Sequence, residues 1–315
     1  MEKLIDKSKI IKGAEKRTET DKIVRLGLAF LSLFCSSVII LTVIFILIKG
    51  LSPFINTYTI NGEEYRVDFW SFVIGNQWQN GVAGYGAGYI FINTIYIACL
   101  TMLLTAPLSI LTALAIVRIL PKRLSIILKN AVNLLSGVPS VIFGMFGLGV
   151  VTSWSKTFAD WFQIQTAGGL GVLTVVLVLT MMSFPTVCML SISAINAVDK
   201  NIALGSLALG ASRTQTNFKA VLKGAKSGIF SGLILGIDRA LGEATAVSLI
   251  SGNAGSGPSF NIFSTTRTLT TTMLTGMSDA SGLNYDIRFS AGIWLILAIL
   301  VINLLLGLLK KKLGN

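Results

Sequence analysis

Six long runs of apolar residues, separated by shorter polar segments, organise this chain of 315 residues. An apolar run of about 20 residues can cross a hydrocarbon core of ~30 Å as a helix. The pattern therefore predicts an all-α integral membrane protein with a single transmembrane domain over 26–310, between tails at 1–25 and 311–315. The six predicted spans are about 26–48, 88–118, 126–153, 168–196, 227–250 and 289–309.

Prolines interrupt three of these runs. The second run would be roughly 46 Å long as a helix, so it must tilt, protrude or bend, and Pro107 favours a bend. Pro139, which precedes Ser140, and Pro185 lie inside the third and fourth runs. Each proline removes a backbone donor and can kink its helix. Pro139 and Ser140 are therefore candidates for lining a pathway, although irregular packing would explain the prolines equally well.

The charge distribution predicts an orientation in the membrane. Only 13% of the residues are charged, yet the net charge is +12, and 20 of the 26 Lys and Arg residues lie in four segments. These are the N-terminal tail, the connections between spans two and three and between spans four and five, and the C-terminal end. The positive-inside rule then places both termini in the cytoplasm of a multi-pass plasma (inner) membrane protein. Because the basic residues lie between apolar runs, nucleic-acid binding is not expected.

Side chains suited to catalysis are scarce. The chain has no histidine, which excludes His-based acid–base chemistry and His metal ligands. Its three cysteines all fall within apolar runs and form no C-x-x-C pair, so they predict packing rather than a disulfide or a metal site. The sequence favours a protein that is not an enzyme.

The two long loops on the predicted outer side differ in composition. Residues 50–87 contain Asn61-Gly62 between β-prone residues, which predicts a tight hairpin. Residues 252–288 are rich in Gly, Ser and Thr. Each loop is either a docking surface for an outer partner or plain solvated chain.

The connection at 199–225 is patterned as a helical hairpin. Asp199 is suited to cap a helix that runs to Leu209, and Gly210 fits the position just beyond its end. Ser212 and Gln215 match the S-x-x-Q capping box that opens a second helix. Such a hairpin could dock on a motor protein and transmit its movement, or it could be an ordinary interfacial hairpin.

The fifth run carries charged residues in its middle. Charged side chains inside a membrane span usually face the protein interior or a water-filled path. The spacing predicts that Arg239 and Glu243 are i,i+4 neighbours on one helix face, while Asp238 points elsewhere. The guanidinium suits a tetrahedral oxyanion, but an ion pair that merely lets the helix enter the membrane is the alternative. The G-x-x-x-G pairs of the same run permit close helix packing, either with a second subunit or within the chain.

Residues 205–212 read GSLALGAS, 136–144 read SGVPSVIFG and 239–243 read RALGE. The first segment resembles the coupling loop of ABC-importer permeases, and the other two narrow the resemblance to the phosphate-specific transport permeases. The continuation at 246–247 (AV) and 252–253 (GN) resembles the PstC type. Leu204 and Lys223 stand where family members usually have Glu and Pro. By resemblance, Arg239 and Glu243 lie on the substrate pathway, and the contact with the ATPase involves Leu204, Gly205, Ser206, Gly210, Ala211 and Ser212.

The resemblance also implies an architecture and partners. It implies a type I ABC-importer permease that passes phosphate inward by alternating access, with a PstA-type second permease, an ATPase dimer and an outer phosphate-binding protein. ATP and Mg²⁺ would be used by the ATPase, and no cofactor is expected on this chain, which has no G-x-x-x-x-G-K-[ST] motif. The alternatives are a PstA-type subunit, a permease for another oxyanion and an ion-coupled secondary carrier.

Overall fold

The computed structural model of this protein describes residues 7–60, 62–79 and 84–314. It is predominantly helical, and six of its helices are long and apolar enough to cross a membrane. These helices cover Asp21–Ile55, Gly88–Ile119, Ser140–Trp161, Val172–Asn196, Arg213–Gly242 and Gly282–Lys312. The prediction of an all-α, six-span membrane protein is therefore confirmed.

The chain divides into a unit up to Lys49 and a unit from Gly50 onward. The described part of the first unit, 7–49, is helical and belongs to α1, which begins at Lys7; the predicted tail residues 1–6 lie outside the described residues. The elements in chain order are α1 Lys7–Ile55, β1 Tyr58–Ile60, β2 Glu63–Tyr65, α2 Phe69–Ile74, β3 Trp78–Gln79, β4 Gly84–Tyr85, α3 Gly88–Leu114, α4 Lys122–Ser136, α5 Ser140–Phe146, α6 Thr152–Trp161, α7 Val172–Asn196, α8 Lys200–Ala208, α9 Arg213–Gln215, α10 Leu222–Gly242, α11 Thr245–Ile250, α12 Leu269–Leu274 and α13 Gly282–Gly314.

In the described part of the chain, three short π-helical segments extend or join these helices. Ala115–Ile119 continues α3, Gly147–Val151 joins α5 to α6, and Thr216–Val221 joins α9 to α10. Such widened turns interrupt the regular i→i−4 ladder and recur at functional sites of other proteins.

The third predicted span is not the single helix 126–153. Helix α4 ends at Ser136, and a new helical run begins at Ser140 and continues to Trp161. Between them Pro139 adopts an extended backbone. Proline has no N–H to continue the ladder, and it disfavours helical geometry at Val138 before it. Hence Pro139 starts a helix here rather than bending one.

The other two prolines behave differently. Helices α3 and α7 run through Pro107 and Pro185 without a break. Next to Pro185, the carbonyl of Phe184 accepts a hydrogen bond at 3.2 Å from Ser109 Oγ of α3. This side-chain hydrogen bond links α3 to α7 beside the proline.

Helix α7 lies at the centre of the bundle. Two thirds of the residues in its most apolar stretch are buried, a larger share than in any other span among the described residues. A side chain at Gly228 of α10 would come within 2.6 Å of Ala194 Cβ, and one at Gly236 within 2.5 Å of Val187 Cγ2. These glycines therefore allow α10 to pack closely on α7 of the same chain. Of the two predicted roles of the G-x-x-x-G pattern, packing within the chain is the one found at these positions.

Beyond the end of α1, the described residues up to 87 form two small antiparallel ladders and one short helix. Tyr58 pairs with Tyr65 and Ile60 with Glu63, which confirms the predicted hairpin, although Asn61 of its turn lies outside the described residues. Helix α2 is capped by Asp68, whose carboxylate accepts a hydrogen bond from Ser71 N at 2.8 Å. A cluster of buried side chains ties this segment to α3, α12 and α13; it includes Phe72, Trp78, Tyr85, Tyr89, Leu269 and Ile287.

Candidate functional site

The hairpin between spans four and five has the predicted local structure. Asp199 caps α8 by accepting a hydrogen bond from Asn201 N at 2.9 Å. Gly210 has φ +84°, a conformation that favours glycine. Ser212 Oγ accepts from Gln215 N at 3.2 Å, and Gln215 Oε1 accepts from Ser212 N at 3.0 Å. The cap, the glycine turn and the capping box are all confirmed.

The second limb of this hairpin is continuous with span five. Helix α9 passes through the π-helical segment Thr216–Val221 into α10, so one helical rod extends from Arg213 to Gly242. Ser206 Oγ lies 3.0 Å from Thr216 Oγ1, and Ala211 N donates to Ser206 O at 3.2 Å. These bonds tie α8 to the base of the rod, so a displacement of α8 would be transmitted to span five.

Helix α8 presents apolar side chains to the outside of the fold. Leu204 is 61% exposed and Leu209 is 91% exposed, while Gly205 has no side chain and no close neighbour. Beside α8 lies a groove of about 540 Å³ whose lining includes Leu207, Arg213 and Phe218. Exposed leucines next to a groove with basic residues are typical of a docking surface rather than of a membrane-buried one.

The fifth predicted span ends earlier than 250, and this corrects the predicted pairing within it. Helix α10 stops at Gly242, and Glu243 is extended, with φ −75° and ψ 119°. The Glu243 carboxylate turns forward and accepts hydrogen bonds from Thr245 Oγ1 at 2.8 Å and Ala246 N at 3.1 Å. Because a carboxylate is stabilised at a helix N-terminus, Glu243 stabilises the first turn of α11. Arg239 and Glu243 are therefore not i,i+4 neighbours on one helix.

Arg239 lies one turn before this break and is half-buried. Its Nη1 donates to Thr186 Oγ1 of α7 at 3.1 Å. Thr186 follows Pro185 in the sequence and was not predicted as a site residue. Since the partner is a neutral hydroxyl, the contact fixes the guanidinium without neutralising its charge.

The interrupted spans three and five meet at their breaks. Helix α5 begins at Ser140 and α11 begins at Thr245, and their hydroxyl oxygens are 3.0 Å apart. A side chain at Gly144 would approach Ala246 Cα to 2.8 Å, so the two half-helices pack backbone to backbone. Ser140 is thus linked to Glu243 through Thr245, and Pro139 directly precedes Ser140 at the start of α5.

Helix α12, in the segment before span six, also contacts this network of hydrogen bonds around Glu243. Thr270 Oγ1 of α12 donates to the main-chain carbonyl of Glu243 at 2.9 Å, which satisfies one of the carbonyls left open where α10 ends. Asp238 has one carboxylate oxygen that is enclosed and without a hydrogen-bond partner among the described residues. The sequence signals that could have revealed the break are Gly242, an acidic residue and Thr245 in succession, which resemble a helix end followed by a helix start.

Interrupted membrane helices that carry a guanidinium, a carboxylate and several hydroxyls near their breaks, within a six-span bundle, are typical of membrane translocators. The fold is that of solved importer permeases: 94% of the chain matches 96% of a subunit of the bacterial alginate ABC transporter in complex with alginate-bound periplasmic protein, with a TM-score of 0.65 and 16% identity.

The sequence comparisons agree with this class and identify the family. The chain is 30% identical over 271 residues to the probable ABC transporter permease protein YqgH of Bacillus subtilis, covering 85% of this chain and 84% of that protein. It is 27% identical over 271 residues to the phosphate transport system permease protein PstC of Pasteurella multocida, covering 80% and 84%. The chain belongs to the family described as the inner membrane component of binding-protein-dependent transport systems, which matches residues 105–314.

This membership settles several expectations drawn from the sequence. The chain is a multi-pass membrane subunit and a translocation component rather than an enzyme. It acts within a transport system that includes further subunits and a binding protein, which disfavours a secondary carrier that works alone.

Proposed function

We propose that this chain is the PstC-type permease subunit of an ATP-driven importer of inorganic phosphate. Relatives named as phosphate transport system permease protein PstC, from Pasteurella multocida and Methanocaldococcus jannaschii, support the choice of substrate. The partners are a PstA-type permease, a dimeric ATPase that uses ATP and Mg²⁺, and a phosphate-binding protein. The hairpin and both termini face the cytoplasm.

The main observation behind the proposal is that Arg239, one turn before the helix break, contacts a neutral hydroxyl rather than a carboxylate. The carboxylate that the sequence predicts as its partner is engaged with α11, and Arg239 is held by the neutral hydroxyl of Thr186. Its positive charge is therefore available to a passing anion. Interrupted membrane helices form substrate sites in other transporters, and a guanidinium recognises oxyanions through paired hydrogen bonds.

The route of force follows from the helical rod 213–242. Closure of the ATPase dimer moves α8, the Ser206–Thr216 contact passes the movement to the base of the rod, and the rod carries it to the break at Glu243. A movement there alters the contacts of span five with α5 through Thr245 and with α12 through Thr270. These contacts are thus placed to open and close the path on its two sides.

The test is phosphate uptake by the full transporter reconstituted in vesicles. Arg239→Lys retains the charge but loses the guanidinium fork, and we expect uptake to fall about tenfold or more, because charge-assisted hydrogen bonds contribute roughly 1.5–3 kcal/mol. Sulfate and arsenate competition identifies the anion. Parent-like uptake by Arg239→Lys would refute bidentate recognition, and uptake that survives removal of ATP would refute the proposed function.

The orientation has a separate test. In a cysteine-free background, a thiol introduced at Leu209, which is highly exposed, should react with a membrane-impermeant reagent only after the cells are opened. Reaction in intact cells would place the hairpin outside and overturn the proposed coupling.

A further inference from the structure

The segment just before and within α12 covers the helix break from one side. Thr270 donates to Glu243 O, and Leu269 N donates to Thr94 Oγ1 of α3 at 3.1 Å. Thr268, Thr270, Thr271 and Thr272 are all buried. By the proposed orientation this segment belongs to the outer loop before span six, and it contacts the helix break that follows Arg239.

Arg288 of α13 holds the end of α12 in place. Its guanidinium donates to the carbonyls of Thr272, at 3.0 Å, and Thr275, and to both the carbonyl and the side chain of Asn284. These carbonyls include those that α12 leaves open at its C-terminus, where a cation is favoured. Arg288 is 2% exposed and its donors are well used, so its role is structural.

Arg267 lies two residues before α12 and is held differently. It is half-buried and contacts the hydroxyl of Tyr89, which itself donates to Ala254 O at 2.9 Å. Its Nε is enclosed and has no hydrogen-bond partner among the described residues, and the same is true of the hydroxyl of the adjacent Thr266. A buried donor without an acceptor is costly, so such donors usually mark a place where a partner is missing.

The electrostatics near Arg267 are also unbalanced. Arg267 lies close enough to Arg288 for the two positive charges to interact, and the other ionisable groups that act on the pair are the phenols of Tyr89 and Tyr85. Burial lowers the pKa of Arg267, and the contact with Tyr89 partly offsets this effect. Two guanidinium groups that interact in this way repel each other, and a bound anion would relieve the repulsion.

We infer that Arg267, supported by the charge of Arg288, is a binding site for a small oxyanion on the outer side of α12, ahead of Arg239 on the path. The inference rests on the proposed function for the identity of the ion and for the side of the membrane. Anions released by the binding protein would be received at Arg267 before α12 moves. Arg288 positions this site and does not itself supply free donors.

The experiment measures binding of radiolabelled inorganic phosphate to the assembled transporter in nanodiscs, without binding protein. All variants carry Arg239→Gln, so that the deeper site does not contribute. Arg267→Gln removes the charge, Arg267→Lys keeps it, and Arg66→Gln is the matched control, since Arg66 is an exposed arginine on the same proposed side. Size-exclusion profiles and melting temperatures report on folding.

We expect saturable phosphate binding that weakens about tenfold or more in Arg267→Gln, less in Arg267→Lys, and by no more than about twofold in the Arg66→Gln control. Unchanged binding in Arg267→Gln, or an equal loss in Arg66→Gln, would overturn the inference. So would an equal loss in the Lys and Gln variants together with a lower melting temperature, because that pattern indicates a purely structural contact with Tyr89. Absence of saturable binding in the Arg239→Gln background would overturn it as well.

Failure of the inference and failure of the proposed function give different results. If Arg267 variants bind phosphate normally while the parent transporter still takes up phosphate with ATP, only the outer site is wrong. If the parent transporter shows no ATP-driven phosphate uptake, the proposed function is wrong whatever the binding data show.

Discussion

Thr186 is the residue whose role the structure defines most sharply, since it contacts Arg239 through one hydrogen bond of 3.1 Å. Thr186→Val has nearly the same shape but cannot accept that bond. A hydrogen bond to a charged group contributes roughly 1.5–3 kcal/mol, and the half-buried setting of both residues favours the lower end. At about 1.4 kcal/mol for each factor of ten, the maximal uptake rate should fall about tenfold.

The assay is initial phosphate uptake in vesicles at saturating loaded binding protein, with ATP hydrolysis measured in parallel. Thr186→Ser, which keeps the hydroxyl, should restore most of the rate. Ser193→Ala is the matched control on the same helix, because the Ser193 hydroxyl donates to the carbonyl of Met189 within α7 and does not contact Arg239. Parent-like uptake in Thr186→Val, or an equal loss in Ser193→Ala, would refute the idea that Thr186 positions Arg239.

Three further predictions follow from local geometry. Ser212→Ala removes half of the capping box, so it should destabilise the first turn of the rod by about 1 kcal/mol. The number of phosphate ions transported per ATP hydrolysed should therefore fall in Ser212→Ala but not in Ser212→Asp, because aspartate can also cap the helix. Gly236→Ala places a methyl group against Val187, so it should lower the melting temperature of the purified subunit by the equivalent of about 1–3 kcal/mol; an unchanged value would contradict close packing of α10 on α7. The hydrogen bond from Ser71 N lowers the pKa of Asp68, so the contribution of this cap to the stability of α2 is present above the ordinary carboxyl pKa and is lost as the pH falls through the lowered value. The hydrogen-exchange protection factors of 69–74, that is, the rates corrected for the slower intrinsic exchange in acid, should therefore fall in acid, and Asp68→Asn should remove that pH dependence.

Local features of the sequence were sufficient to define the bundle and the hairpin. Apolar runs identified six spans because hydrocarbon requires them, whatever their packing. Asp199, Gly210 and Ser212 identified the ends of the hairpin helices because caps and left-handed turns depend on a few adjacent residues. The resemblance at 205–212 and 239–243 pointed to the family that the comparisons confirm.

The break before Ser140 is explained by the local chemistry of Pro139, whereas the contacts at both breaks were decided by tertiary structure. Periodicity could not distinguish a continuous span from two half-helices at Pro139 or Gly242, because apolar residues continue on both sides of each break. The groups at these breaks find their hydrogen-bond partners on other elements: Thr245 contacts Ser140, and Thr270 of α12, 27 residues further along the chain, donates to the Glu243 carbonyl.

The sequence by itself thus determined that this protein spans a membrane six times and carries a helical hairpin and an arginine within a span, because these properties depend on composition and on neighbouring residues. Only the tertiary structure decided what the arginine contacts. The i,i+4 spacing predicted that Arg239 pairs with Glu243. Because α10 ends at Gly242, the Glu243 carboxylate instead accepts from Ala246 N of the next helix, and the Arg239 guanidinium donates to Thr186 of another span. In a medium without water, each backbone group at a helix end must find a partner in the protein, and those partners come from residues distant in sequence.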